Sequence, residues 1–167
     1  VLTVVYNFVD ALSHAKTDTE VVRELASDDS AYRRLVKTWL EGSPLLKMLQ
    51  WASKQGFTVV LTTDHGTVNV HRPSKVVGTK HLTTNLRYKT GNGMSYQSKH
   101  SFVVKDPSVI GLPKQHIADE CIFALSDLFY VYPNRYNHFV QYYRNTYQHG
   151  GVSLEELIIP YAVLTSK

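Results

Sequence analysis

Three short stretches of the chain combine residue types that could bind a metal ion. In the first, Asp64, His65 and Gly66 follow the apolar, β-branched run VVLTT, which is typical of a buried strand. Asp offers a hard oxygen and His a borderline nitrogen, a mixture that suits zinc or manganese, and Gly66 lets the backbone turn sharply. The pattern predicts a metal site at a strand end, although an ordinary polar turn after a strand has the same sequence.

The second stretch is VDALSH, which contains Asp10 and His14. Its length fits one or two helical turns, and residues four apart then share one helix face. The pair could bind a ligand together. The alternative is an exposed acid and an exposed His on a solvated turn.

The third stretch begins at His149 and continues with Gly150 and Gly151. Two residues without side chains let another group approach the neighbouring His closely. Ser153 and Glu156 then form a capping-box pattern, which predicts a short helical turn that fixes the direction of His149.

Residues 66–105 have an unusual charge pattern. They contain no Asp or Glu but seven positively charged residues, which are Arg72, Lys75, Lys80, Arg87, Lys89, Lys99 and Lys105. Several Gly and Asn residues predict short strands or a hairpin with loops. We expect a positive surface that binds phosphates or nucleic acid, with Lys80, Arg87 and Lys89 contacting the substrate. A solvated basic surface is the alternative reading.

Tyr88 and Tyr96 lie in this basic segment. Tyrosine rings can stack on nucleic-acid bases. On a strand, however, Tyr more often packs against neighbouring side chains, so both roles stay open.

The remaining pattern predicts the elements that position these residues. The predicted elements are a strand at Val1–Phe8, helices within 18–41 that break at Asp28–Ser30, a helix at Leu45–Lys54 capped by Ser43, the strand before Asp64, strands at Phe102–Val104, Glu120–Leu125 and Leu128–Tyr132, a helix at Asn134–Thr146 and a strand at Leu157–Leu164. Strand, helices and strand in succession are typical of a largely parallel sheet.

Length and composition predict a globular chain. It has 167 residues, of which 43% are apolar and 19% charged, in the range of a single folded domain. The one cysteine, Cys121, lies in the apolar run ECIFAL and is predicted to be a packed side chain. No apolar run approaches the roughly 18 to 20 residues of a membrane span, and we expect a cytoplasmic location without membrane insertion.

Taken in order, the three stretches resemble motifs of the alkaline phosphatase superfamily. The opening NFVDALSH and the ending HGGVSLEELIIPYAV are most similar to PglZ domains, especially those attached to bacterial response regulators of the PorX type. The resemblance extends over essentially all 167 residues. It agrees with an α/β fold, a mixed and mainly parallel sheet flanked by helices, in which we expect residues 66–105 to form a basic β-rich insertion.

The resemblance also implies a ligand set for two zinc ions. Asp10, His14 and His149 would bind one ion, and Asp64 and His65 the second. The spacing agrees, because an i,i+4 pair offers two arms of a tetrahedron that a distant His can complete. In this superfamily the two metals clamp the attacking and leaving oxygens of a displacement at phosphorus.

The family places its nucleophile, a Thr or Ser, and one further Asp ligand ahead of the Asp-xxx-His motif. Only nine residues precede Asp10 here. We therefore interpret residues 1–167 as the C-terminal portion of one such domain, which by itself holds at most one zinc ion tightly and is inactive. The full domain is expected to be connected to an upstream receiver domain or partner protein, in two-component signalling and type IX secretion.

The expected activity is zinc-dependent phosphodiester hydrolysis, with an oligonucleotide or cyclic nucleotide as substrate. One alternative is a regulatory module that keeps its metals for stability and docks a protein or nucleic acid without turnover. Another is hydrolysis of sulfate or phosphonate esters on the same scaffold, because fold does not fix substrate.

Overall fold

The computed structural model describes residues 1–78, 82–114 and 116–166, and Lys80, one of the predicted substrate contacts, lies outside them. The helices within the described residues are α1 (Phe8–Asp18), α2 (Glu20–Leu25), α3 (Asp29–Gly42), α4 (Pro44–Lys54), α5 (Tyr136–Tyr143) and α6 (Leu154–Leu157). The strands are β1 (Val59–Thr62), β2 (Val68–Val70), β3 (Arg72–Val77), β4 (Tyr88–Gly91), β5 (Ser95–Tyr96), β6 (Ser101–Val104), β7 (Glu120–Ala124), β8 (Leu128–Val131), β9 (Thr146–Gln148) and β10 (Tyr161–Leu164).

The chain divides into two compact units. The first, here called the helical unit, comprises Val1–Asp64 and Pro160–Lys167, and the second, the β unit, comprises His65–Ile159. Within the helical unit, β1 and β10 pair antiparallel with Val59 opposite Leu164. The chain therefore leaves the helical unit just after β1 and returns to it just before β10.

Side-chain caps set the helix boundaries of the helical unit. The carboxylate of Asp28 accepts a hydrogen bond of 2.8 Å from the Ala31 backbone N–H at the start of α3. The hydroxyl of Ser43 accepts one of 3.2 Å from the Leu46 N–H at the start of α4, where Pro44 takes the first helical position. Both caps satisfy backbone donors that a helix start leaves without an intrahelical partner. The predicted Ser43 cap is confirmed. Of the predicted break at Asp28–Ser30, Asp28 lies between α2 and α3, whereas Asp29 and Ser30 already belong to α3.

The predicted strand at Val1–Phe8 is wrong. Residues 1–7 lie in no helix or strand, and α1 begins at Phe8. Val1, Leu2 and Val5 are exposed. A run of β-branched residues favours a strand because such side chains fit a pleated, half-buried surface, and these residues are not on one.

The β unit is built on two hydrophobic clusters that share strand β8. Leu128 and Tyr130 belong to the cluster that also contains Val76 and Ile122. Phe129 and Val131 belong to the cluster that contains Val68 and Val70. Successive residues of a strand point to opposite faces, so β8 contributes alternately to both clusters. This explains why all four of its residues are buried.

The expectation of a mainly parallel sheet is not confirmed. Five of the six strand pairings among the described residues are antiparallel, and β3 with β8 is the parallel one. Parallel neighbours need long crossover connections, whereas antiparallel neighbours can follow short turns. The antiparallel partners of the β unit are distant in the chain, for example β2 (Val68–Val70) and β9 (Thr146–Gln148), so their direction does not follow from short turns. The architecture is a mixed α/β one.

Strands of the predicted 66–105 insertion pair with later parts of the chain. β2 pairs with β9, β3 with β8, and β4 with β7, and each of these partners lies beyond residue 105. The β-rich region thus extends over the whole β unit.

Cys121 is fully buried, as predicted for a packed side chain, and burial raises the pKa of its thiol. Within the described part of the chain, no helix is both long and apolar enough to span a bilayer.

Candidate metal centre

The antiparallel ladder of β2 and β9 brings His65 and His149 together. Val68, at the start of β2, lies opposite Gln148, at the end of β9. The segment entering β2 and the segment leaving β9 are therefore at the same end of the ladder. The two imidazole rings stack with centroids 3.8 Å apart and an angle of 14° between their planes. Their nearest ligand nitrogens lie within 4.8 Å of each other, and both residues are half-buried.

The backbone beside His65 has no room for a side chain. A Cβ at Gly66 would lie 2.0 Å from the Glu155 carbonyl oxygen. The Gly66 N–H donates a hydrogen bond of 2.9 Å to the carbonyl oxygen of Glu156. Nδ1 of His65 lies 3.0 Å from the Gly66 carbonyl oxygen. In the tautomer with a proton on Nδ1, this nitrogen donates to that carbonyl and Nε2 is left to bind a metal.

The backbone after His149 is also confined. Gly150 has φ of +101°, and a Cβ there would lie 2.9 Å from Nδ2 of Asn85. A Cβ at Gly151 would lie 2.6 Å from Oε2 of Glu156. Asn85 also donates a hydrogen bond of 3.2 Å from Nδ2 to the His149 carbonyl oxygen. The two glycines let the backbone pass this close to neighbouring side chains, which places His149 beside His65.

A buried ion pair between Arg87 and Glu156 supports the loop after His149. Nε and Nη2 of Arg87 each donate a 2.9 Å hydrogen bond to one carboxylate oxygen of Glu156, and both side chains are essentially inaccessible to solvent. The carboxylate also accepts hydrogen bonds from the backbone N–H groups of Gly151 (2.8 Å) and Ser153 (3.1 Å). Burial is the largest influence on the pKa of Glu156 and raises it, but the Arg87 and backbone donors together outweigh it. The net pKa is lowered, so the carboxylate is ionised.

The side chain of Arg87, predicted to contact a substrate, is buried and committed to internal partners. In addition to Glu156, it donates to the backbone carbonyls of Leu128 and Ala124. Five N–H donors in a planar fork allow one guanidinium to serve several acceptors at once. The side chain is therefore a structural element, and the expectation of substrate contact is corrected at this position.

Lys89 is also buried, contrary to the predicted surface role. Its Nζ donates a 2.7 Å hydrogen bond to the Thr83 carbonyl oxygen and lies 4.5 Å from the centre of the Tyr132 ring. Burial lowers the pKa of Lys89 to about 8. Inward-facing strand positions usually hold apolar residues. A prediction from charge alone therefore places Lys89 at the surface, although its side chain faces the interior.

Some exposed cations of residues 66–105 are paired with acids from other parts of the chain. Arg72 lies 2.5 Å from Asp127, and Lys105 lies 2.5 Å from Glu120. Lys75 and Lys99 are exposed. Acidic residues from outside this segment therefore lie beside its cations, and they partly neutralise the predicted positive surface.

The two tyrosines of the basic segment contact other protein groups. The Tyr88 ring lies 6.3 Å from the Phe123 ring, and the Tyr96 hydroxyl donates a 3.2 Å hydrogen bond to Glu120. These contacts favour the packing role over base stacking.

The other predicted ligands lie in the helical unit. Asp10 and His14 share one face of α1, with Oδ1 of Asp10 and Nε2 of His14 3.6 Å apart, and both are exposed. The predicted helical turn is confirmed. Asp64 is exposed directly after β1, and its carboxylate accepts a 3.4 Å hydrogen bond from the Thr63 hydroxyl. The assignment of these three residues as metal ligands stays a prediction.

Sequence reasoning does not identify the support of the His pair. The capping-box pattern points to Glu156, and its hydrogen bond from the Ser153 N–H is present. Its partner Arg87 is 69 residues away, and no local pattern connects the two. The same holds for Asn85, which is 64 residues from His149.

Comparison with known proteins identifies the family. No curated protein matches the chain significantly. A family model described as the BREX system PglZ alkaline phosphatase-like domain matches residues 1–165, a range that contains all three predicted metal-binding stretches. With nearly the whole chain matched, the protein belongs to the PglZ family of alkaline phosphatase-like domains.

Proposed function

We propose that this chain carries the metal-binding part of a zinc-dependent phosphodiesterase. The observation that supports the proposal best is the His65–His149 pair, which two paired strands present in a chain of a phosphatase-like family. A family of this kind suggests phosphoester hydrolysis. Beyond this, we propose that the metal is zinc and that the substrate is a phosphate diester.

The donor chemistry of the predicted residues fits zinc. His nitrogens and carboxylate oxygens are common zinc ligands, and the proposed set contains three His and two Asp. Following the family resemblance, we assign each ring to its own ion. In this proposal His149 acts with Asp10 and His14, and His65 with Asp64.

The residues of the chain have three roles in the proposed reaction. The imidazoles act as neutral ligands, and the contact of His65 with the Gly66 carbonyl favours the tautomer that leaves Nε2 available. Asp10 and Asp64 offset positive charge. The glycines beside both His residues let the backbone pass close to neighbouring protein groups, which holds the two ligand loops in place. Two bound zinc ions would polarise the phosphate and stabilise the charge that develops on its oxygens. The family resemblance places the nucleophilic Thr or Ser ahead of Asp10.

The substrate class is a phosphate diester, with an oligonucleotide or a cyclic nucleotide as the candidates. Arg87 and Lys89 are not offered as contacts because they are buried. Exposed Lys75 and Lys99 are the cations of the basic segment that we propose for an extended anionic substrate. A connection to a receiver domain and a cytoplasmic location are also proposed, on the resemblance alone.

The test measures zinc binding and hydrolysis of a chromogenic phosphodiester by a form of the protein that extends upstream through the expected nucleophile. His149→Ala and Asp64→Ala should each abolish turnover and weaken zinc binding. His116→Ala, at an exposed His outside the three stretches, is the matched control and should behave like the unchanged protein. Absence of zinc binding in the unchanged protein would refute the proposal. Tight zinc binding without turnover of any ester would favour the regulatory module with structural metals.

A further inference from the structure

One residue, Glu156, contacts both loops that carry the stacked histidines. Its side chain accepts the Gly151 N–H at 2.8 Å, two residues after His149. Its backbone carbonyl accepts the Gly66 N–H at 2.9 Å, one residue after His65. A residue that is neither stacked nor a predicted ligand thus joins the two loops.

Arg87 attaches Glu156 to the core of the β unit. The guanidinium holds the carboxylate with two parallel 2.9 Å hydrogen bonds. Its other bonds are to the carbonyl oxygens of Leu128, the first residue of β8, and Ala124, the last residue of β7. Contacts thus run without interruption from two core strands through Arg87 and Glu156 to both loops.

The chemistry of this position requires a carboxylate. An ionised carboxylate is an acceptor at about four lone-pair sites, and Glu156 uses them for two Arg87 donors and for the N–H groups of Gly151 and Ser153. An amide of the same shape would turn N–H groups toward some of these four donors. The position of Arg87 likewise requires arginine. Lysine has the same charge but lacks the planar guanidinium that donates two parallel hydrogen bonds to the carboxylate.

We propose that Arg87 and Glu156 are positioning residues that hold His65 and His149 in a metal-ready arrangement, so that their loss lowers metal affinity although no ligand is removed. The inference rests on the proposed function, since it assumes that the His pair binds metal. Groups that orient metal ligands commonly change metal affinity by about 10- to 100-fold when they are removed. Here the group acts on the backbone of two ligand loops at once.

The experiment compares the 167-residue chain with its Glu156→Gln and Arg87→Lys variants. Zinc affinity is measured by titration against a competing chelator, and the metal-free proteins are examined by NMR for a nuclear Overhauser effect between the His65 and His149 rings. Lys89→Met is the matched control, because it removes a buried cation two residues from Arg87 whose hydrogen bond goes to the Thr83 carbonyl instead of to Glu156. We expect about 10- to 100-fold weaker zinc binding and loss of the ring contact in both variants, with neither change in the control.

Two further outcomes decide the inference. Removing one partner of a buried ion pair can unfold a protein, so the double variant Arg87→Met with Glu156→Met, which removes both charges, is measured beside the single ones. Any of these variants that folds with an intact ring contact and unchanged zinc affinity would show that the ion pair is merely structural. If the unchanged chain shows the ring contact but binds no zinc, the proposed function fails. The positioning of the rings is then still judged by the NMR contact in the variants.

Discussion

At the residue scale, Gly66 is the position where the backbone tolerates a side chain least. A Cβ there would lie 2.0 Å from the backbone oxygen of Glu155, and a backbone atom cannot move aside as the end of a side chain can. We expect Gly66→Ala to lower the free energy of unfolding by about 1 to 3 kcal/mol, measured by urea denaturation. Gly42→Ala is the control, because nothing lies within 4 Å of the point that its added methyl group would occupy and the residue ends helix α3. It should be neutral or stabilising by up to about 1 kcal/mol.

The free energy of unfolding should depend on pH because of Lys89. Its pKa is about 8 in the folded chain, against an ordinary value of 10.5, because burial disfavours the charged form. Between these two pH values the unfolded chain binds a proton that the folded chain does not, so stability rises as pH increases from about 8 to 10.5. The free energy of unfolding, measured at pH 7.5, 9 and 10, should rise relative to that of Lys89→Met by at most about 3 kcal/mol. A constant difference between the two proteins would mean that Lys89 titrates normally.

Residues whose environment is set by their neighbours in sequence could be predicted, and the others could not. The burial of Cys121 follows from the apolar run around it, and the positive φ of Gly150 agrees with its residue type. A charge-based prediction places Arg87 on the surface because its strongest contact is with a residue 69 positions away. A charged residue is normally predicted to be exposed. A partner that is distant in the sequence can offset the free-energy cost of burying the charge, and the prediction then fails.

At the scale of elements, a single hydroxyl defines the start of α4. Ser43 is buried, and its Oγ accepts the Leu46 N–H at 3.2 Å while donating to the Leu40 carbonyl at 2.8 Å. Ser43→Ala should lower the free energy of unfolding by about 1 kcal/mol, because the Leu46 N–H loses the acceptor that caps the helix. Thermal or urea unfolding measures the change. Ser53→Ala, at an exposed position of the same helix, should have no destabilising effect. Equal losses for the two variants would argue against a capping role.

Element types are easier to predict than strand partners. Caps and helical spacing are local, and the residues at Asp28 and Ser43 are enough to predict where α3 and α4 start. Strand direction depends on which segment lies alongside. The pairing of β2 with β9 joins Val68 to Gln148, far apart in the chain, and it is this pairing that brings His65 to His149. The motifs that contain His65 and His149 can be recognised in the sequence. The pairing of β2 with β9 that brings them together cannot be predicted from it.

At the scale of the whole molecule, the stacked His pair and the other predicted ligands belong to different units. The β unit is one continuous segment, His65–Ile159, and it contains both of the hydrophobic clusters that share β8. The ion pair that supports the His loops also lies entirely within it. The helical unit is made from two separate segments of the chain, and it contains Asp10, His14 and Asp64.

The β unit should therefore fold as an independent fragment. A segment with its own core and its own buried ion pair has the interactions that make unfolding cooperative. We expect residues 65–159, expressed alone, to show a single cooperative urea transition and to keep the NMR contact between the rings of His65 and His149. The fragment lacks three of the five proposed ligands, so it should bind zinc at least about 10-fold more weakly than the 167-residue chain, by the same chelator competition. The variant Asp10→Asn of the 167-residue chain serves as the control, since it removes one proposed ligand without removing a unit, and its affinity should lie between the other two. A folded fragment with the zinc affinity of the whole chain would show that the proposed ligands Asp10, His14 and Asp64 contribute nothing to binding.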